Sequence, residues 1–243
     1  MNAPPATPAV APAVALQQLS YTWPRATAPC LLIEDFVLAA GERVFLHGPS
    51  GSGKTTLLSL IGGVLDPQAG SVSVHGQVLG PLRGGRRDRF RADHIGFVFQ
   101  LFNLIPYLSA RDNILLPCRF SAARRARVAG AGTTPAAEVA RLAARLDLDG
   151  ALLERPAAEL SVGQQQRVAA ARALIGRPPL VIADEPTSAL DADRQRGFLD
   201  LLLAECSAAA AALLFVSHDA RLAERFDRRV ALAEINRAGG VQR

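Results

Sequence analysis

The sequence predicts an α/β fold: a mostly parallel sheet flanked by helices, carrying an antiparallel β subdomain and a helical subdomain. Three observations predict it. The apolar run Val44-Phe45-Leu46 leads into a glycine-rich loop and then into residues 56–61, where Leu57, Leu58 and Ile61 share a helical face. Further apolar runs, at residues 95–99, 180–183 and 213–216, each end on polar or acidic side chains. Between the first two of these lies a stretch of helical character, with Val139 and Leu142 at helical spacing and Thr134-Pro135 as a helix start.

The loop itself is Gly48-Pro49-Ser50-Gly51-Ser52-Gly53-Lys54-Thr55, which fits G-x-x-x-x-G-K-[ST] at every fixed position, with Thr56 following. Its glycines let the backbone curl around an anion, and the helix behind it offers unpaired N–H groups to phosphates. The pattern therefore predicts a P-loop NTPase core, with Lys54 reaching β- and γ-phosphates and the Thr55 hydroxyl on Mg²⁺. Of the 27 cationic side chains, Lys54 is the only lysine. A compact ammonium on a thin stem suits such a loop better than a broad guanidinium.

Residues 1–15 are Ala/Pro-rich without a basic n-region and read as a disordered tail, not a secretory signal. Residues 16–37 alternate short apolar runs with turn residues, as β-structure does. Tyr21 and Trp23 stand upstream of the loop, where an aromatic either stacks on a purine base or packs in the core. Residues 72–76 read as a short strand entering a turn. The run at 95–99 is followed by Gln100, an amide suited to coordinating Mg²⁺ or positioning water. The helical subdomain is expected at about residues 101–165. Ser161 is a good N-cap for the next helix. The strand at 180–183 ends in Asp184-Glu185, the form of an acidic pair in which Asp184 holds Mg²⁺ and Glu185 orients or deprotonates the attacking water. His218 follows the last strand and either senses the γ-phosphate or serves a structural role. The domain is expected to span 16–237, with 238–243 as a C-terminal tail.

Composition narrows the class. The 243 residues suit one large domain with subdomains, and no stretch approaches the ~20 apolar residues of a membrane span. Three separated cysteines form neither a disulfide framework nor a metal knuckle, which points to the cytoplasm. The net charge of +5 is concentrated in arginines at 83–91 and 119–127. These read as solvated faces, or as contacts to anionic lipid headgroups; without aromatic interleaving, no nucleic-acid partner is expected.

Taken together, Tyr21, the loop 48–55, Gln100, the Leu160-Ser161-Val162-Gly163-Gln164 segment, Asp184-Glu185 and His218 stand in an order that resembles the nucleotide-binding subunit of ABC transporters. The resemblance covers nearly all of residues 16–237, and the 160–164 segment separates this family from other phosphate-loop enzymes. It implies ATP hydrolysis with Mg²⁺ in a head-to-tail homodimer that sandwiches two ATP molecules. Ser161, Gly163 and Gln164 would then touch the γ-phosphate region of the partner's nucleotide, with Asp191 at the same interface. The family usually has glycine where Val162 stands. Residues 94–100, Asn103-Leu104-Ile105-Pro106, Asp112-Asn113-Ile114 and Pro117 resemble the lipoprotein-releasing and macrolide-export ATPases (LolD and MacB type). Those pair with an FtsX-like permease, implying a position on the inner face of the cell membrane. A soluble ABC ATPase without a transport role is the alternative; a kinase or GTPase is disfavoured by the 160–164 segment and the missing N-K-x-D motif.

Overall fold

The computed structural model describes residues 11–188, 190 and 192–239. The chain opens with an antiparallel pair, β1 (Val14–Tyr21) and β2 (Leu31–Leu38), in which Val14 faces Leu38 and Tyr21 faces Leu31. Ala13 is fully buried and its carbonyl accepts from the His75 amide, so the chain is already packed against the turn at His75 just ahead of β1. Then come β3 (Arg43–His47), α1 (Lys54–Ile61), β4 (Ala69–Val74) and β5 (Gln77–Val78). The first sheet has the order β2-β1-β4-β5 and is antiparallel throughout.

A second group follows: α2 (Gly85–His94), β6 (Ile95–Val98), α3 (Ala110–Phe120), α4 (Ala122–Gly130), α5 (Pro135–Arg145) and α6 (Val162–Leu174). Each α-helix of the expected helical subdomain begins on a side-chain cap. Ser109, Ser121, Thr134 and Ser161 accept from the amides of Asp112, Arg124, Ala137 and Gln164. The last group is β7 (Leu180–Asp184), α7 (Ala192–Ala208), β8 (Ala212–Val216), β9 (Arg228–Ala231) and α8 (Leu232–Ile235). The second sheet has the order β6-β7-β8-β3-β9, and every pairing in it is parallel.

Strand alternation divides the core into two. Phe45, Val181, Ala183, Leu213 and Phe215 face the side covered by α3, α5, α6 and α7. Val44, Leu46, Leu180, Ile182, Leu214 and Val216 face α1 and the antiparallel sheet. Both faces are covered, which is why β7 and β8 are apolar at nearly every position. The parallel sheet thus has one edge, at its strand C-termini, where the connecting loops gather.

One arginine ties the helical group to the sheet. Arg124, on α4, is 1% exposed, and its guanidinium donates to the carbonyls of Ala92 (2.7 Å), Ile95 (2.7 Å), Ala173 (3.2 Å) and Ile175 (2.6 Å). Burial lowers its pKa to about 10, so it stays cationic at neutral pH. Gly176 makes room: a Cβ there would sit 2.5 Å from Arg124 Cβ. Arg127 likewise donates to the Gly176 and Asp93 carbonyls. The arginine run at 119–127 is therefore not simply a solvated face; part of it is a buried bracket.

Candidate nucleotide site

Four strand ends build the site. β3 runs into residues 48–53, which wrap to the N-terminus of α1. Gly51 and Gly53 have φ of 77° and 104°, conformations that a side chain would strain. A Cβ on Gly53 would also meet Leu31 Cδ2 at 3.0 Å and Cys30 Sγ at 3.2 Å. Lys54 is buried, and its Nζ donates to the Gly48 (2.8 Å) and Pro49 (3.0 Å) carbonyls, which fixes the ammonium over the loop. Burial lowers its pKa, while Glu185 and Asp184 act in the opposite sense. The Ser52 hydroxyl is buried without a hydrogen-bond partner.

β7 delivers the acidic pair beside this loop. The Thr55 hydroxyl donates to Asp184 Oδ2 at 3.2 Å, so the two oxygen groups expected on Mg²⁺ converge. Burial raises the Asp184 pKa, opposed by the Thr55 hydrogen bond and the Lys54 charge. Glu185 is 8% exposed, and burial raises its pKa too, with the nearby His218 opposing. Its φ of 47° is unusual for a residue with a side chain and marks local backbone strain. The backbone there is held by the Glu185 amide donating to the Val216 carbonyl at 3.0 Å.

β8 brings His218 alongside. Its Nε2 lies 2.9 Å from Glu185 Oε1, and its backbone amide donates to Glu185 Oε2 at 3.4 Å. The ring contact is within ion-pair distance but lacks hydrogen-bond alignment, so Oε1 is left without a donor. A buried carboxylate oxygen with spare acceptor capacity, next to Lys54, is what a bound water would satisfy. Gln100 follows β6 by two residues, in a turn instead of the strand, with its side chain exposed.

The two aromatics separate. Tyr21 is 5% exposed on the core face of β1, with its ring edge against Trp23 at 5.3 Å and 90°. Trp23 is 45% exposed, and its Nε1 donates to the Thr56 hydroxyl on α1 at 3.3 Å. Of the two aromatics beside the loop, Trp23 is the more exposed.

The remaining expected group is elsewhere on the chain. Ser161 caps α6 through a capping box: its hydroxyl accepts from the Gln164 amide while Gln164 Oε1 accepts from the Ser161 amide at 2.9 Å. Ser161 is exposed, and the concavity at this helix tip is lined by Ser161, Gly163, Gln164, Leu190 and neighbours, with no residue of the loop at 48–56. Val162 is the first helical residue and is 53% exposed, so its backbone is right-handed and the valine sits there without strain. Asp191 lies outside the described residues.

Arg172, further along α6, was not anticipated from the sequence. It donates through Nη1 to the Asn103 carbonyl at 2.6 Å and through Nη2 to the Phe102 carbonyl. Its one visible signal is a cation set within the otherwise apolar run from Val168 to Ile175.

The family model for ABC transporters matches residues 34–188, more than half of the sequence. The chain belongs to the ABC transporter family. Among its relatives, the lipoprotein-releasing system ATP-binding protein LolD 1 of Caulobacter vibrioides is 42% identical over 200 residues, covering 82% of each chain. LolD of Hydrogenovibrio crunogenus is 41% identical over 204 residues, covering 82% of this chain and 84% of that one. A dimeric post-hydrolysis structure of the ATP-binding cassette MJ0796, bound to ADP and Pi, matches with a TM-score of 0.80 and 32% identity. It covers 95% of this chain and 97% of the other. This ABC chain is thus an ATP-binding, ATP-hydrolysing subunit with a phosphate-loop core. Among the described residues no helix is long and apolar enough to cross a membrane.

Proposed function

We propose that two copies of this chain clamp two ATP molecules head to tail, each between the loop 48–55 of one copy and the Ser161-capped helix tip of the other. The observation that carries this reading is the separation just described. The exposed tip of α6 presents free N–H groups, a hydroxyl and a helix dipole, yet shares no concavity with its own chain's phosphate loop. An anion-binding tip of that kind completes a site only across an interface. Val162 keeps its backbone N–H, so the tip retains its donors.

In this reading Lys54 and the backbone amides of residues 50–55 hold the β- and γ-phosphates, and Trp23 stacks on the adenine. Thr55, Asp184 and Gln100 would hold Mg²⁺, directly or through water, and the ion would neutralise charge on the phosphates. Glu185 Oε1 accepts a proton from water as that water attacks the γ-phosphorus and the bond to the β-phosphate oxygen breaks. The products are ADP and inorganic phosphate. His218 orients Glu185 and faces the γ-phosphate. The Glu185 geometry supports its role as base: buried, raised in pKa, and with an oxygen left free to accept.

The work done by hydrolysis falls on a separate membrane permease of the lipoprotein-release or macrolide-export type, reached from the inner face of the membrane. The curated relatives support this assignment by name. A second support is the segment after Gln100: Leu101, Tyr107 and Phe120 are 81%, 79% and 75% exposed, a large apolar display for a solvated surface. The test is phosphate release from purified chain with Mg·ATP, alone and with the permease gene's product in vesicles. Phosphate release that the permease stimulates is expected; no release in either setting contradicts the reading.

A further inference from the structure

The loop that carries Trp23 is held at both ends by carboxamides from distant parts of the chain. It closes where the Cys30 amide donates to the Tyr21 carbonyl at 2.8 Å. At its start, the Gln68 side chain takes both backbone groups of Thr22. Oε1 accepts from the Thr22 amide and Nε2 donates to the Thr22 carbonyl, each at 2.7 Å. At its end stands Asn236, which follows α8. Asn236 Oδ1 accepts from the Leu32 amide at 2.8 Å, and Nδ2 donates to the Cys30 carbonyl at 3.0 Å. These partners are 204 and 206 residues away in sequence, so no local pattern couples them.

β2 is the outer strand of the antiparallel sheet, and among the described residues one side of it meets no other strand. Such an edge leaves backbone donors and acceptors to be satisfied. The Asn236 carboxamide offers a donor and an acceptor in the shape of a peptide group, and it satisfies the two groups that flank Leu31. Asn236 is 8% exposed and is itself fixed. Its backbone amide donates to the Leu232 carbonyl at 2.8 Å, and Oδ1 also accepts from the Ala238 amide at 3.1 Å.

What Asn236 holds lies directly behind the phosphate loop. The Cys30 carbonyl oxygen is 3.5 Å from where a Cβ on Gly53 would stand, so the oxygen that Asn236 grips belongs to the wall against that glycine. Cys30 Sγ lies 3.8 Å from Thr56 Oγ1, the same atom that accepts from Trp23 Nε1. On the other side, a Cβ on Gly48 would meet Leu232 Cβ at 3.4 Å. Residues 232–236 thus brace both fixed glycines of the loop.

We propose that Asn236 is a positioning residue for the nucleotide: by fixing the Cys30 carbonyl and the Leu32 amide, it sets the place of the Trp23 loop against α1 and so of the platform for the base. The inference rests on the proposed function, in that Trp23 stacks on the adenine. The side-chain partners of Asn236 are backbone groups remote from the acidic pair, so its loss falls on affinity and not on turnover.

Trp23 is the only tryptophan of the chain, so tryptophan fluorescence reports this loop alone. The test compares Asn236→Ala and Asn236→Asp full-length chains with wild type. It reads acrylamide quenching of Trp23 without nucleotide, the Kd of a fluorescent ATP analogue, and phosphate release at saturating Mg·ATP. Asn236→Ala is expected to raise the quenching constant about 1.5-fold and Kd about tenfold, with kcat within about twofold of wild type. Asn236→Asp is expected to match it, because an ionised carboxylate has acceptors only and loses the bond to the Cys30 carbonyl. In a Trp23→Ala background, Asn236→Ala is expected to change Kd less than about threefold, since its effect passes through that ring. Unchanged quenching, unchanged Kd, a kcat that falls with affinity, or effects that multiply in full in the double variant overturn the proposal. If Asn236→Ala does not fold, Asn236→Asp carries the same criteria. A Trp23→Ala chain with wild-type Kd refutes the proposed stack, and the inference with it. Unchanged quenching in Asn236→Ala, beside a Trp23→Ala chain that binds weakly, refutes only the role of Asn236.

Discussion

Replacing Glu185 with glutamine separates catalysis from stability. The amide keeps the shape of the side chain but is a far weaker base, so steady-state turnover should fall by roughly 10²- to 10⁴-fold. Stability should move the other way. Burial raises the Glu185 pKa, so its ionised form is disfavoured in the folded chain relative to the unfolded one. The sign follows from linkage. A carboxylate with a raised folded pKa destabilises the native state above that pKa. The penalty disappears as pH falls through the folded value towards the unfolded one. Loss of the attraction to His218 and Lys54 offsets part of the gain. A net stabilisation of about 1 kcal/mol is reasonable for relief of this kind at a functional site, or about 2–4 °C in Tm for a chain of this size. The strain at φ 47° persists, because glutamine also carries a Cβ. The assay pairs phosphate release at saturating Mg·ATP with urea unfolding at pH 7.5 and pH 5.5. The variant should be inactive, more stable at pH 7.5, and closer to wild type at pH 5.5. Turnover within tenfold of wild type refutes Glu185 as base, and a variant less stable at pH 7.5 refutes the burial argument.

Other expectations follow from the same geometry. Trp23→Ala should weaken nucleotide binding by about 1–3 kcal/mol, the worth of one base stack, while Tyr21→Phe should change it less than twofold; fluorescent-nucleotide titration distinguishes them. Lys54→Ala should abolish detectable ATP binding in the same titration, with unchanged affinity arguing against its phosphate contact. The acid limb of kcat/KM should lie above the ordinary glutamate range and rise with pH, because Glu185 must be ionised to accept a proton. Arg124→Met should destabilise the chain by roughly 3–5 kcal/mol in urea unfolding, since four buried carbonyls lose their donor together.

The parts of this site visible in the sequence are those whose chemistry is local. The loop 48–55, the Asp184-Glu185 strand end and the Ser161 cap each place their functional atoms within a few residues, so spacing alone reports them. Tyr21 and Trp23 were not separable that way. Alternation would put both on one face, but β1 ends at Tyr21, so Trp23 lies beyond the strand and is not bound by its alternation. The burial of Ala13, whose carbonyl accepts from the distant His75 amide, is likewise something no local pattern reveals. Arg124 and Arg172 stayed hidden for a different reason. An arginine in an Ala/Arg-rich helix looks solvated, and their partners are backbone carbonyls, which carry no residue identity. Long-range contacts to the main chain are the part of a fold least written in side-chain order.

The most direct measurement is sedimentation of the Glu185→Gln chain with and without ATP. With one copy of 25.7 kDa, ATP should shift the species to twice that mass, and Ser161→Arg should return it to one copy. A chain that remains single at saturating ATP, or a pair indifferent to Ser161→Arg, would contradict a nucleotide held between two copies.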